Sequence, residues 1–221
     1  MREQSRTTLK SSPIVKFGVA LVLTLVLTVP LAEAGNSNPG VLPANSHAYG
    51  NTYAEWSAAW WQWALAIPAT EHPLFDTADC SAGQSGKVWF LGGKFCRSGD
   101  TSCNAQSATR NCTLPTGTAL FFPIVNSECA FVEFPANSGV TEADLRACAD
   151  VAQFGPIMSA TVDGRAIQGL GVHGTFRVQS PLFDVTLAPH DNLLAAIGSV
   201  VPVPDGATSP AVADGVYPQV A

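Results

Sequence analysis

The sequence predicts a mainly β protein: an antiparallel β-sandwich, jelly-roll-like or Ig-like, with one N-terminal Trp-rich helix and one short helix. Three observations carry this. Short apolar runs recur along the C-terminal two thirds, separated by Pro, Gly, Asp and Asn, the punctuation of sheet proteins. Asp163-Gly164 stands between two strand-like segments in "MSATVDGRAI", a strong short hairpin signal. All six cysteines (Cys80, Cys96, Cys103, Cys112, Cys129 and Cys148) follow an export-type leader, so they read as disulfides.

The leader comes first. Arg2, Arg6, Lys10 and Lys16 are followed by a charge-free apolar run from Phe17 to Ala32, then by Ala32-Glu33-Ala34. This is the layout of a secretory signal peptide over residues 1–34, and the run is shorter than the roughly 20 apolar residues of a spanning helix. Cleavage after Ala34 leaves 187 of the 221 residues, with seven basic and 15 acidic side chains and a net charge of −8. The expected location is secreted or periplasmic, with no membrane span after cleavage. An acidic surface without Lys/Arg clusters argues against nucleic acid as a partner.

Residues 35–50, "GNSNPGVLPANSHAYG", read as an extended lead-in to a single disulfide-bonded β-rich domain over 51–221. Thr52 and Glu55 form a T-x-x-E capping box that starts a helix, and Pro68 ends it after Ile67. Four of the five tryptophans lie in this helix: Trp56, Trp60, Trp61 and Trp63. At 100° per residue Tyr53, Trp56, Trp60, Trp63 and Ile67 share one core-facing stripe. Trp61 points away from it. Either a loop such as "HPLFD" covers Trp61, or it is an exposed aromatic platform for a sugar or another flat apolar ligand.

Strands are expected at Val88–Leu91, Ala119–Val125, Thr175–Gln179, Phe183–Leu187, Ile197–Val203 and Val212–Tyr217. Thr141 and Asp144 open the second, short helix, which runs through about Gln153 and carries Cys148. Sequence alone leaves the cysteine connectivity open. Loop length favours Cys96–Cys103 nested inside Cys80–Cys112, with Cys129–Cys148 separate.

The segments "YAEWSAAWWQWALAIP", "EHPLFDTADC", "GQSGKVWFLGGKF" and "CTLPTGTALFFPIVN", in this order, resemble a group of exported bacterial proteins of unknown function. The resemblance covers roughly residues 49–130 and, more loosely, "ATVDG" and "SPLFDV". It implies export and a shared fold, with no activity to carry over. Members continue past "VADGVY" into a further Pro-, Gly- and His-containing strand, so a truncated C-terminus is expected here.

No catalytic motif stands out, and the reading leans away from an enzyme. "GQSG" lacks the second glycine of a nucleophile elbow at the right offset. Neither an H-E-x-x-H pair nor an EF-hand loop is present, and no metal or cofactor is expected. Glu55, Glu128 and Glu133 are the candidate paired carboxylates of a glycosidase, but Glu55 is accounted for by its cap. The leading expectation is an exported non-enzymatic domain that binds carbohydrate or cell-envelope material. Its candidate ligand-binding residues are Trp61, Glu55, Gln62, His72 and Asp76. Two alternatives stand beside it: a secreted hydrolase of envelope polymers or esters, with Glu55, His72 or Asp76 near the reaction centre, and a structural or assembly protein. N-terminal sequencing of the exported protein should begin at Gly35; an intact Met1 terminus would remove the leader assignment.

Overall fold

The computed structural model describes residues 38, 40–105, 108–155 and 158–221; the expected signal peptide and the first part of the lead-in lie outside them. The described chain is rich in sheet, with three helices rather than two. Helix α1 is Tyr53–Ala66, α2 Glu142–Ala149 and α3 Leu193–Ile197. The strands are β1 (Val88–Phe90), β2 (Ala119–Phe121), β3 (Val125–Ala130), β4 (Thr161–Val162), β5 (Arg165–Ala166), β6 (Arg177–Gln179), β7 (Phe183–Thr186), β8 (Thr208–Val216) and β9 (Gln219–Val220).

Local chemistry sets the helix ends. Thr52 and Glu55 exchange side-chain and backbone hydrogen bonds at the start of α1, and Thr141 and Asp144 do the same for α2. The strand expected at 197–203 is absent, and α3 precedes it instead. Asn192 accepts from Ala195 N at 3.0 Å, and Gly198 turns left-handed at φ 94° to close the last turn. These two caps override the β-branched run that follows them.

The main sheet is built on β8, which pairs antiparallel with β3 on one edge and with β6 and β7 in succession on the other. Pro210 is tolerated in this strand because β8 pairs there only with β7, β3 having ended at Ala130 opposite Ala211. A smaller sheet runs β1-β2-β9, with β1 and β2 parallel, a departure from the wholly antiparallel expectation. The β4–β5 hairpin turns at Asp163 (φ 50°) and Gly164 (φ 75°), as Asp-Gly implies.

Side-chain alternation gives the main sheet two different faces. Cys129 and Val212 meet Leu145 and Ala149 of α2, and Cys129–Cys148 bonds strand to helix. On this face Arg177 binds Asp214 and Asp150. On the other face Ala130, Ala211 and Ala213 join Trp60, Trp61 and Trp63 of α1 in the main core. Small residues here leave room for indole rings. Gly215 continues the row: a Cβ on it would overlap the Tyr217 ring and lie 2.9 Å from Asn126 Cβ. The remaining disulfides are Cys80–Cys112 and Cys96–Cys103, a nested pair.

Gly215→Ala should therefore destabilise the protein by about 2 kcal/mol or more, in the range of an overpacked core. Urea denaturation measures this, and an unchanged midpoint would mean that the ring has room to move.

Candidate functional site

Of the five residues that the sequence nominates for binding, Trp61 and His72 are buried, while Glu55, Gln62 and Asp76 are exposed, the first two on one side of α1. Glu55 spends its carboxylate on Thr52 N and Oγ1 at 2.7 and 2.8 Å, which holds its pKa below the usual carboxylate range. Gln62 donates to the Asp184 carbonyl at 2.9 Å and ties α1 to β7. His72 is fully buried, its Nδ1 accepting from Leu74 N and its Nε2 donating to Ala64 O, each at 3.0 Å. Burial pushes its pKa down to about 4. The ring is a neutral cross-link between α1 and the "HPLFD" turn.

Trp61 is 6% exposed and offers no outward platform. Its ring meets Trp60 edge-on at 4.9 Å, and its indole N–H interacts with the Tyr217 hydroxyl. Asp76 meets a cavity through its two cationic partners, Lys94 and Arg110, which line it. Its left-handed backbone (φ 58°) caps the turn after Phe75, and its oxygens take Lys94 and Arg110 at 2.8 Å each. The Lys94 contact chiefly holds its pKa down, with Arg110 adding to it against the opposing effect of burial.

That cavity is a cleft of about 540 Å³ on the outer side of the small sheet. Val88, Phe90 and Phe121 join the core, so alternation turns Trp89 and Leu120, which are paired in register, to the other face. Two residues further on, Leu91 and Phe122 line the cleft beside Leu120 and Pro123. The opposite wall is a strap whose alternate residues Ala108, Arg110, Cys112 and Leu114 face the cavity, the period of extended chain.

The strap is held at two points. Cys112 is bonded to Cys80. Arg110, 13% exposed, donates to the carbonyls of Pro73, Gly92 and Leu74 at 3.1, 2.8 and 3.4 Å as well as binding Asp76. Lys94 lines the cleft beside it, with its ammonium 2.8 Å from an Asp76 oxygen. Comparison with protein-family models, with characterised proteins and with solved structures finds no match.

A second chamber of about 230 Å³ adjoins the cleft, sharing Gly93, Lys94, Ala105 and Pro123 with it and reaching Trp60 and Asn126. Behind it, β3 carries Asn126 and Glu128 on the face toward α1. Glu128 is buried beside Glu133, and burial, reinforced by that neighbouring carboxylate, raises its pKa well above the ordinary value. Glu133 accepts from Ala130 N at 2.8 Å. Two of the three carboxylates considered from sequence, Glu128 and Glu133, are thus brought together, but inside the protein rather than across the cleft. Sequence reasoning missed Lys94, Arg110, Asn126 and Tyr217. Only the even-numbered alternation around Arg110 could have pointed to the strap. No cluster of three or more His, Cys, Asp or Glu could hold a metal ion among the described residues.

His72 sets a testable pH dependence. Its pKa is about 4 in the fold and near 6.5 unfolded, so between these values only the unfolded chain takes up the proton. Its contribution is complete above pH 6.5 and falls by up to about 3 kcal/mol as pH drops toward 4. Urea unfolding at several pH values should show this slope reduced in His72→Gln; identical slopes would place the acid sensitivity elsewhere.

Proposed function

We propose that this protein is an exported, non-enzymatic binding domain whose cleft holds the apolar part of a cell-envelope component. The observation that carries this is the lining of the 540 Å³ cleft: Leu91, Leu114, Leu120, Phe122 and Pro123 surround it, with charge only from Lys94 and Arg110. That size and polarity suit a small amphiphile. A bare polysaccharide would call for several hydroxyl-binding side chains, and among the described lining residues only Lys94 and Arg110 have polar side-chain nitrogens or oxygens. Among envelope materials an acyl-bearing one therefore fits better than plain carbohydrate.

Location outside the cytoplasm belongs to the same proposal. Three disulfides persist in oxidising compartments, and no helix among the described residues is long and apolar enough to cross a membrane. We also read the layering of α1 between the main sheet and the small sheet as a helix-filled, sandwich-like arrangement. The hydrolase alternative gains little, because His72 and Glu55 are committed to structural hydrogen bonds.

Titration of the exported, oxidised protein with dansyl-labelled undecanoic acid should give a blue-shifted, saturable signal. Leu120→Asp should weaken that binding about tenfold or more while leaving the near-UV circular dichroism unchanged. Depletion on peptidoglycan or an insoluble polysaccharide without any probe binding would overturn the acyl reading in favour of carbohydrate.

A further inference from the structure

Two cations share one carboxylate at the wall of the cleft. Lys94 and Arg110 both line it, and each lies 2.8 Å from an oxygen of Asp76. Asp76 itself is not part of the lining. Asp100 also acts on Lys94, but it is exposed, accepts from Ser102 N and Oγ, and borders a neighbouring depression instead of the cleft. The cleft therefore carries a surplus of positive charge, on a chain whose net charge is −6. Arg110 fixes that surplus in place, because the carbonyls of Pro73, Gly92 and Leu74 hold its guanidinium.

This surplus discriminates between ligands of equal chain length. The Lys94 and Arg110 side chains are 27% and 13% exposed, so both keep some contact with solvent. An acyl chain laid along Leu91, Leu114, Leu120 and Phe122 excludes water from that wall. Withdrawing a charge from water is costly unless a counter-charge comes with it, and opposite charges attract more strongly as the surroundings become less polar. A neutral ester leaves the surplus uncompensated. An amine adds to it. A carboxylate cancels it.

Resting on the reading of the cleft as an acyl-binding site, we propose that its ligand is a fatty carboxylate whose head group pairs with Lys94 and Arg110. The alkyl chain lies between the small sheet and the strap. Lys94 is the principal contact, since it is the more exposed of the two cations and lines the adjoining 230 Å³ chamber as well as the cleft. Arg110 is the fixed second charge, and it ties the head-group position to the strap.

Isothermal titration calorimetry of the exported, oxidised protein with lauric acid, monolaurin and dodecylamine at neutral pH tests this. Lauric acid should bind about tenfold or more tightly than monolaurin, and dodecylamine most weakly. Lys94→Met keeps the apolar stem and should bring lauric acid level with monolaurin, with the near-UV circular dichroism unchanged. Asp76→Asn works in the opposite direction. Asn tolerates the left-handed backbone at this position (φ 58°), Arg110 keeps its three carbonyls, and the surplus rises, so lauric acid should bind about threefold tighter. Equal binding of lauric acid and monolaurin, tightest binding of dodecylamine, or a Lys94→Met protein that keeps the wild-type preference would each overturn the inference while the acyl reading of the cleft stands. Unchanged or weaker binding of lauric acid to Asp76→Asn would overturn it too, because net charge at the wall would then not select the ligand. Failure of all three ligands to bind removes the reading of the cleft, and this inference with it.

Discussion

The structure depends on burying almost the whole circumference of one aromatic helix. Each indole removes on the order of 150–250 Å² from water, a gross gain of about 4–6 kcal/mol per ring that only close packing realises. Helix α1 meets this demand from both sides. The main sheet offers it a floor of Ala130, Ala211 and Ala213, and Phe90 and Phe121 of the small sheet close over Trp56, Trp63 and Tyr53. Large side chains on the helix require small ones on the strand facing it. This accounts for the run of Ala and Gly in β8, which intrinsic strand preference does not explain.

The indole N–H groups extend that constraint to the loops. Trp56 donates to Ala48 O at 3.0 Å, Trp60 to Leu91 O at 2.8 Å and Trp63 to Ala82 O at 3.2 Å. One helix thereby pins three separate stretches of irregular chain. The close approach at Leu91 needs Gly92, where a Cβ would lie 2.9 Å from the Trp60 ring. Residues between α1 and β2 have little regular structure of their own, so these bonds, His72, Arg110 and two disulfides take the place of a sheet ladder there. The cleft wall is made from this cross-linked segment. Trp61 is the exception among the four indoles, and its unpaired N–H lies among the other unpaired atoms near Tyr217.

Features set by contacts within a few residues were legible. The Thr52/Glu55 and Thr141/Asp144 boxes, the stop at Pro68 and the Asp163-Gly164 turn depend on backbone groups close in sequence. The misreading at 197–203 came from weighing β-branched residues above Asn192 and Gly198, whose capping signals were also local and should have prevailed. The parallel pairing of β1 with β2 was different in kind. Val88 meets Ala119 through an intervening segment whose described residues form no crossover helix, and nothing near either strand encodes the direction.

The sequence by itself determined the export-type leader as an expectation, the capped helices, the hairpin and an even set of cysteines, because each follows from short-range chemistry or composition. Only the tertiary structure decided the site. Asp76, Lys94 and Arg110 meet, and Asn126, Glu128 and Tyr217 gather near Trp61, through contacts between residues far apart in the chain. Burial decided the rest. The same Trp61 or His72 is a platform or a core cross-link according to what packs over it, and that depends on the whole fold rather than on its neighbours in sequence.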